Sequence, residues 1–182
     1  MKTEKLTEEI AIPKGVNVET KHGLVAAKGP KGIAEKKLQS ALVEIRVENN
    51  KVVVEAKKAG KKKKRVLYTY VSHIKNLIEG ALNGYVYRLK ICSGHFPMNV
   101  SVTGEMFTVK NFLGEKVPRT LKLKQGVKVK IEGQNINVEG SNLELVSQTA
   151  ASIETLTRRR GFDFNRFQDG IYIIEKAGEK IA

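Results

Sequence analysis

The side chains best suited to chemistry in this sequence are cations. Arg158, Arg159 and Arg160 are followed by Phe162, Phe164, Arg166 and Phe167, a basic segment interleaved with aromatic rings. A guanidinium group grips phosphate with paired N–H donors, and aromatic faces stack on unpaired bases, so this composition suits RNA. The same residues have a plainer use. One arginine would complement the dipole at the end of a helix that Gly161 closes, and the phenylalanines would pack against a sheet. A second concentration of charge holds Lys57, Lys58, Lys61, Lys62, Lys63, Lys64 and Arg65. Its field attracts polyanions, unless it is a mobile, solvated lysine loop.

Two weaker constellations remain. Gly29-Pro30-Lys31-Gly32 offers backbone amides and a cation to a phosphate, or is a plain turn. Cys92-Ser93-Gly94-His95 has the spacing of two metal ligands, but His22 and His73 are the remaining histidines and neither has a partner nearby in sequence. A small, buried, apolar role for Cys92 is the simpler expectation. The glycine-rich phosphate loop, the dinucleotide fingerprint, the zincin helix and the hydrolase elbow are all missing from the sequence. We therefore nominate no catalytic residue, metal ligand or cofactor, and expect a binding protein rather than an enzyme.

The chain has 182 residues, with 33 Lys and Arg against 19 Asp and Glu, for a net charge of +14. Apolar residues make up 41% of it, which suits a globular chain rather than a disordered one. A single cysteine leaves stability to packing. No apolar run approaches the roughly 18 residues of a membrane span, so a soluble protein with no membrane partner is expected.

These residues are positioned by elements that occur twice. Val16–Glu19 and Leu24–Ala27 read as strands, and Val43–Val47 is answered by Lys51–Glu55 across Glu48-Asn49-Asn50 as a hairpin. Leu67, Tyr70, Val71, Ile74, Leu77, Ile78, Ala81 and Leu82 then keep the spacing of one helical face. The second half repeats this order. Asn17-Val18 is echoed by Asn99-Val100, Val43–Glu48 by Val127–Glu132, Val71-Ser72 by Val146-Ser147, and Ile78-Glu79 by Ile153-Glu154. The offset is 82, then 84, then 75 residues, constant within each element. The fold class is α+β, with two tandem duplicated units, each a small antiparallel sheet carrying one amphipathic helix. The first unit spans 1–84 and the second 85–182. The shortened offset makes 57–65 a nine-residue insertion in the first unit, expected as a flexible loop before helix one. Ser141-Asn142-Leu143-Glu144 reads as a capping box for helix two.

Three stretches carry a wider likeness: Ser93-Gly94-His95-Phe96-Pro97-Met98-Asn99-Val100, Ser72-His73-Ile74-Lys75-Asn76-Leu77-Ile78, and Arg166-Phe167-Gln168-Asp169-Gly170-Ile171-Tyr172-Ile173. With them the chain resembles, over nearly its whole length, the family of universal large-subunit ribosomal protein six in its archaeal and eukaryotic branch. One departure is an arginine, usual a residue earlier in the last motif, that stands here at Arg166. The resemblance implies a structural rRNA-binding protein of the cytoplasmic ribosome. Its second domain and C-terminal segment would engage large-subunit rRNA near the sarcin-ricin region and stalk base, beside neighbouring ribosomal proteins and close to where translational GTPases dock. Carried onto this sequence, it implies Arg158, Arg159, Arg160, Arg166, Lys176 and Lys180 as leading contacts. Lys57 to Arg65 are added from charge alone. The alternative is an extraribosomal RNA chaperone or polyanion-binding module on the same scaffold.

Overall fold

A computed structural model describes residues 3–48, 50–159, 161–163 and 165–181; the side chains of Thr3, Glu4, Lys58 and Ala59 are outside the description. The chain divides into two compact units, residues 1–84 and 85–182.

The first unit runs β1 (Thr3–Ala11), β2 (Asn17–Lys21), β3 (Leu24–Gly29), β4 (Gly32–Lys37), β5 (Glu44–Glu48), β6 (Lys51–Ala59) and α1 (Lys61–Leu82). The strands form two antiparallel sheets, ordered β1-β6-β5 and β2-β3-β4. Helix α1 packs on both, chiefly against β3, β4 and β6. The face expected from spacing is the buried one: Leu67, Val71, Ile74, Leu77, Ile78 and Ala81 meet Val25, Ala27, Val52, Val54 and Ala56, while Tyr70 and Leu82 border them. Asn50 closes the β5–β6 hairpin with φ +62°, in the left-handed region that asparagine tolerates.

The second unit repeats the order with β7 (Tyr85–Cys92), β8 (Asn99–Thr103), β9 (Met106–Lys110), β10 (Arg119–Lys122), β11 (Val127–Glu132), β12 (Asn135–Gly140) and α2 (Leu143–Leu156). It then adds β13 (Gly170–Lys176) and β14 (Glu179–Lys180). Its sheets are β11-β12-β7-β13-β14 and β10-β9-β8, so β7-β12-β11 answers β1-β6-β5 strand for strand. Register repeats as well. Asn17 opposes Lys28 as Asn99 opposes Lys110, and Glu44 opposes Glu55 as Lys128 opposes Glu139. The echoes in sequence are thus echoes of pairing.

Two expectations about helix starts need correction. The basic run is not a loop. Lys57 and Lys58 end β6, Gly60 is the joint, and Lys61 to Arg65 form the first turns of α1. The nine extra residues are absorbed as three more at the end of the strand and seven more at the start of the helix, with a joint one residue shorter than that of unit two. Strand β1 makes this possible, because Thr3 opposes Ala59 and Lys5 opposes Lys57, giving the longer β6 a partner. Lysine also propagates a helix well, and Lys63 Nζ donates to the Lys57 carbonyl oxygen at 2.6 Å. In α2 the capping residue is Asn142 rather than Ser141. Its side-chain oxygen accepts from the Glu144 and Leu145 amides at 3.0 and 3.4 Å, placing Glu144 inside the first turn. Asparagine reaches those amides because its own backbone stays extended, at φ −103°.

Helix α1 begins with no side-chain cap and no acidic residue in its first turn, while lysines crowd its positive dipole end. Gly60 sits at the N-cap in extended backbone (φ −84°, ψ 176°), with open space where a Cβ would stand. Gly60→Asp should therefore stabilise the protein by a few tenths to about 1 kcal/mol, read as a higher urea midpoint at unchanged slope.

Candidate nucleic-acid interface

The C-terminal end of α2 sets the geometry of the arginine segment. A helix end leaves carbonyls that need donors. Thr157 supplies one: buried at the C-cap, its hydroxyl donates to the Glu154 carbonyl at 3.2 Å and accepts the Ile171 amide at 2.9 Å. The cation comes from elsewhere. Arg119 of β10 donates from Nη1 to the Leu156 carbonyl at 2.7 Å, while Nε and Nη2 hold both Glu115 oxygens at 2.8 and 2.7 Å. Its guanidinium carbon also lies 4.4 Å from the centre of the Phe112 ring. The Arg119 hydrogen bonds keep the Glu115 carboxyl below the usual carboxylate range against the opposing effect of burial, with a smaller contribution from the charge of Arg159. The guanidinium groups of Arg158 and Arg159 therefore do not cap the helix, although the Arg158 backbone amide donates to the Thr155 carbonyl at 3.1 Å, and Gly161 lies past the Thr157 cap.

Freed of that task, Arg158 and Arg159 stand exposed and make no ion pair among the described residues. Arg159 places its guanidinium 4.2 Å over the Phe162 ring. Phe162 meets Phe167 edge-on, with centroids 5.2 Å apart, and Phe167 leans on the His95 ring at 4.8 Å. The ladder ends on a carboxylate. Asp169, whose side chain is 2% exposed, takes the Gly94 and His95 amides on Oδ1 at 2.6 and 3.0 Å and His95 Nδ1 on Oδ2 at 2.6 Å. Burial alone would raise its pKa. The hydrogen bonds from the His95 amide and ring and the Gly94 amide outweigh burial and hold the carboxyl below its ordinary value, so Nδ1 carries the donated proton. The segment before β13 is thereby latched to the loop after β7.

The other expected contacts are dispersed. Arg166 is exposed on a turn built by Asp163, whose Oδ1 accepts the Asn165 amide at 2.9 Å and whose carbonyl accepts the Phe167 amide at 2.8 Å. Lys176 and Lys180 lie exposed on the β13–β14 hairpin, and Lys176 is roughly 20 Å along the strand from Gly170. Arg160 and Phe164 lie outside the described residues, as does the side chain of Lys58. Lys57 and Lys61 to Arg65 belong to the first unit, at the end of β6 and the start of α1. Lys31 is occupied through its backbone: its amide caps the Ala81 carbonyl of α1 at 3.1 Å, and a Cβ on Gly29 would fall 2.4 Å from that oxygen. That loop is a turn docked on a helix end. Cys92 is a half-buried free thiol, and His95 is engaged by Asp169 rather than paired with Cys92.

The ribosomal protein L6 family model matches this chain twice, over residues 12–84 and 96–170, one match in each structural unit. The chain belongs to the ribosomal protein L6 family. It is 45% identical to the large ribosomal subunit protein uL6 of Methanococcus vannielii over 174 residues, covering 96% of each chain. It is 46% identical to the uL6 of Saccharolobus solfataricus over 172 residues, covering 94% of this chain and 95% of that one. The uL6 of Methanosarcina mazei is 43% identical over 174 residues, covering 96% and 99%. The second L6 match ends at Gly170, so it contains the arginine segment and Asp169 but not the added β13–β14 hairpin.

Arg119 and the Asp169–His95 latch were invisible to sequence reasoning. Asp169 and His95 both lie in stretches that carry the family likeness, but nothing local pairs residues 74 positions apart. Arg119→Ala should cost about 1.5–3 kcal/mol by leaving Glu115 unpaired and the Leu156 carbonyl without its charged donor, whereas Arg158→Ala should stay within roughly 0.5 kcal/mol. Equal losses in urea denaturation would return the capping role to Arg158. Asp169→Asn should cost about 1–3 kcal/mol near neutral pH. Because folding lowers this carboxyl's pKa, its contribution is complete above the unfolded-state value of about 3.9 and fades as pH falls through the folded value. Denaturation measured from pH 5 to pH 3 should show wild type and Asp169→Asn converging toward the acid end.

Proposed function

We propose that this protein of the large ribosomal subunit binds large-subunit rRNA specifically through the Arg158–Phe167 segment of its second unit, near the sarcin-ricin region and stalk base. Neighbouring ribosomal proteins and translational GTPases are then its surroundings. It acts as a structural, non-catalytic constituent. One observation carries the reading: Thr157 and Arg119 satisfy the end of α2 with side-chain donors, so the Arg158 and Arg159 side chains stand exposed and in no ion pair among the described residues. The aromatic ladder anchored on Asp169 positions Phe167, Phe162 and Arg159, and a preordered cationic surface loses less entropy on binding. Arg160, adjacent in sequence, and Arg166 on the same segment are further candidate contacts, and Lys176 and Lys180 are more distant ones on the added hairpin.

The first unit contributes attraction of a different kind. Lys61, Lys64 and Arg65 share one open face of α1 with the exposed Tyr68, and lysines are point charges without the fork geometry of arginine. In this reading Lys57 to Arg65 supply screened, sequence-independent contact with phosphates. An extraribosomal RNA chaperone or polyanion-binding module would need that general charge and nothing more.

Replacing Arg158, Arg159 and Arg160 with lysine keeps the charge and removes the two-pronged geometry. The variant should fold normally and bind arbitrary RNA as before. It should lose preference for large-subunit rRNA by about 1–3 kcal/mol per geometric contact, on the scale known for base contacts in DNA. Competition of large-subunit rRNA against scrambled RNA at fixed salt measures this, and an unaltered ratio would reduce the cluster to general charge.

A further inference from the structure

The second unit holds a cavity of about 260 Å³ between the end of α2 and the start of β13. Its floor includes Leu113 and the fully buried Ile171, its wall Phe162 and Phe167, and its rim Arg158 and Arg159. We infer that this cavity receives a single unstacked nucleobase of the bound RNA, an inference that rests on the rRNA-binding reading above.

The chemistry of the lining selects that ligand. A phosphate would use the arginines and leave the apolar wall idle, and an apolar molecule would use the wall and gain nothing from two cations. A nucleotide unit has both parts, a flat π system with its anionic phosphate close by. The volume lies just below the 300 Å³ at which pockets for drug-sized molecules begin, room for one ring system and not for a stack of two. The wall is held before anything binds: Asp169 fixes His95, His95 supports Phe167, Phe167 braces Phe162, and Arg159 covers Phe162. Stacking on such a fixed surface is tolerant of base identity.

Selectivity for a base over a simple aromatic comes from the polar groups. The oxygens of Asp169 and Thr157 on the cavity wall are already taken by internal hydrogen bonds. Glu154 Oε1 accepts the Ile173 amide at 3.0 Å, and its second oxygen takes no hydrogen bond among the described residues. A carboxylate oxygen at the edge of an aromatic cavity suits an N–H of a base edge, while the rim arginines suit ring acceptors or the adjoining phosphate.

Thr155 gives a test that removes no cation and no ring. It is exposed on the last turn of α2 and lines the cavity, so Thr155→Trp fills the space from the rim. The probe is large-subunit rRNA bound to the full chain, mapped with reagents that modify the pairing edges of unpaired bases. Wild type should shield one unpaired base that becomes reactive with Thr155→Trp, and affinity should fall about 5-fold to 100-fold. Replacing that nucleotide by an abasic one should cost wild type the same factor and the variant nothing more. The abasic arm uses wild-type protein, so it stands whether or not the tryptophan variant folds. A footprint and affinity unchanged in Thr155→Trp, or an abasic replacement without effect, would overturn the pocket alone. No footprint on large-subunit rRNA from wild type would overturn the rRNA reading with it.

Discussion

Asp169 is the residue on which the aromatic ladder of the second unit hangs. A carboxylate this deeply buried is tolerable only with its lone pairs occupied, and two backbone amides and one imidazole nitrogen occupy them. Those three donors all come from the loop after β7, so satisfying one buried charge also fixes where that loop meets the segment before β13. Because His95 supports Phe167, the constraint passes through the aromatic ladder to Arg159. An exposed arginine on an unsupported loop would sample many orientations. Here it is stacked on a ring whose position is set from the interior.

The two units show how one scaffold was specialised at two places. Both keep the same strand order and register and the same helix across the sheets. Unit two spends its extra chain on the segment after α2 and on β13, which pairs along the β7 edge. The equivalent strand in unit one, β1, pairs with β6 alone among the described residues. Unit one instead lengthens β6 and α1, building its lysines into regular structure. The cations of the two units therefore differ in kind as well as in place: lysines along a helix that tolerates them at its wrong end, and arginines beside aromatic rings on an irregular segment.

That division fits what a ribosomal protein must do in crowded rRNA. Screened attraction from lysine speeds encounter with any polyanion, whereas discrimination requires donors held at fixed angles. The clamp of Arg119 on Glu115 and Leu156 matters here for an indirect reason. By completing the end of α2 from within, it relieves Arg158 and Arg159 of a structural duty that their position after the helix would otherwise suggest.

Periodicity and repetition determined a good deal about this protein without any coordinates. The hairpins, the buried face of α1 and the order of elements repeated in the second half follow from spacings of two to four residues and from offsets shared between the halves. The family likeness was legible for the same reason, since it rests on contiguous stretches. What escaped had no local signature. Among its described side chains, strand β1 turns Leu6 and Ile10 toward the core between polar and charged neighbours, a pattern that does not announce a strand. Whether Lys57 to Arg65 formed loop, strand or helix depended on β1 lying beside β6, a pairing of residues about fifty positions apart. The cation that caps α2 comes from 37 residues before Leu156, and the donors to Asp169 come from 74 and 75 residues before it. Contacts at such separations are chosen by how the packed elements meet, so only the tertiary structure decided which arginine clamps the end of α2 and which stand exposed.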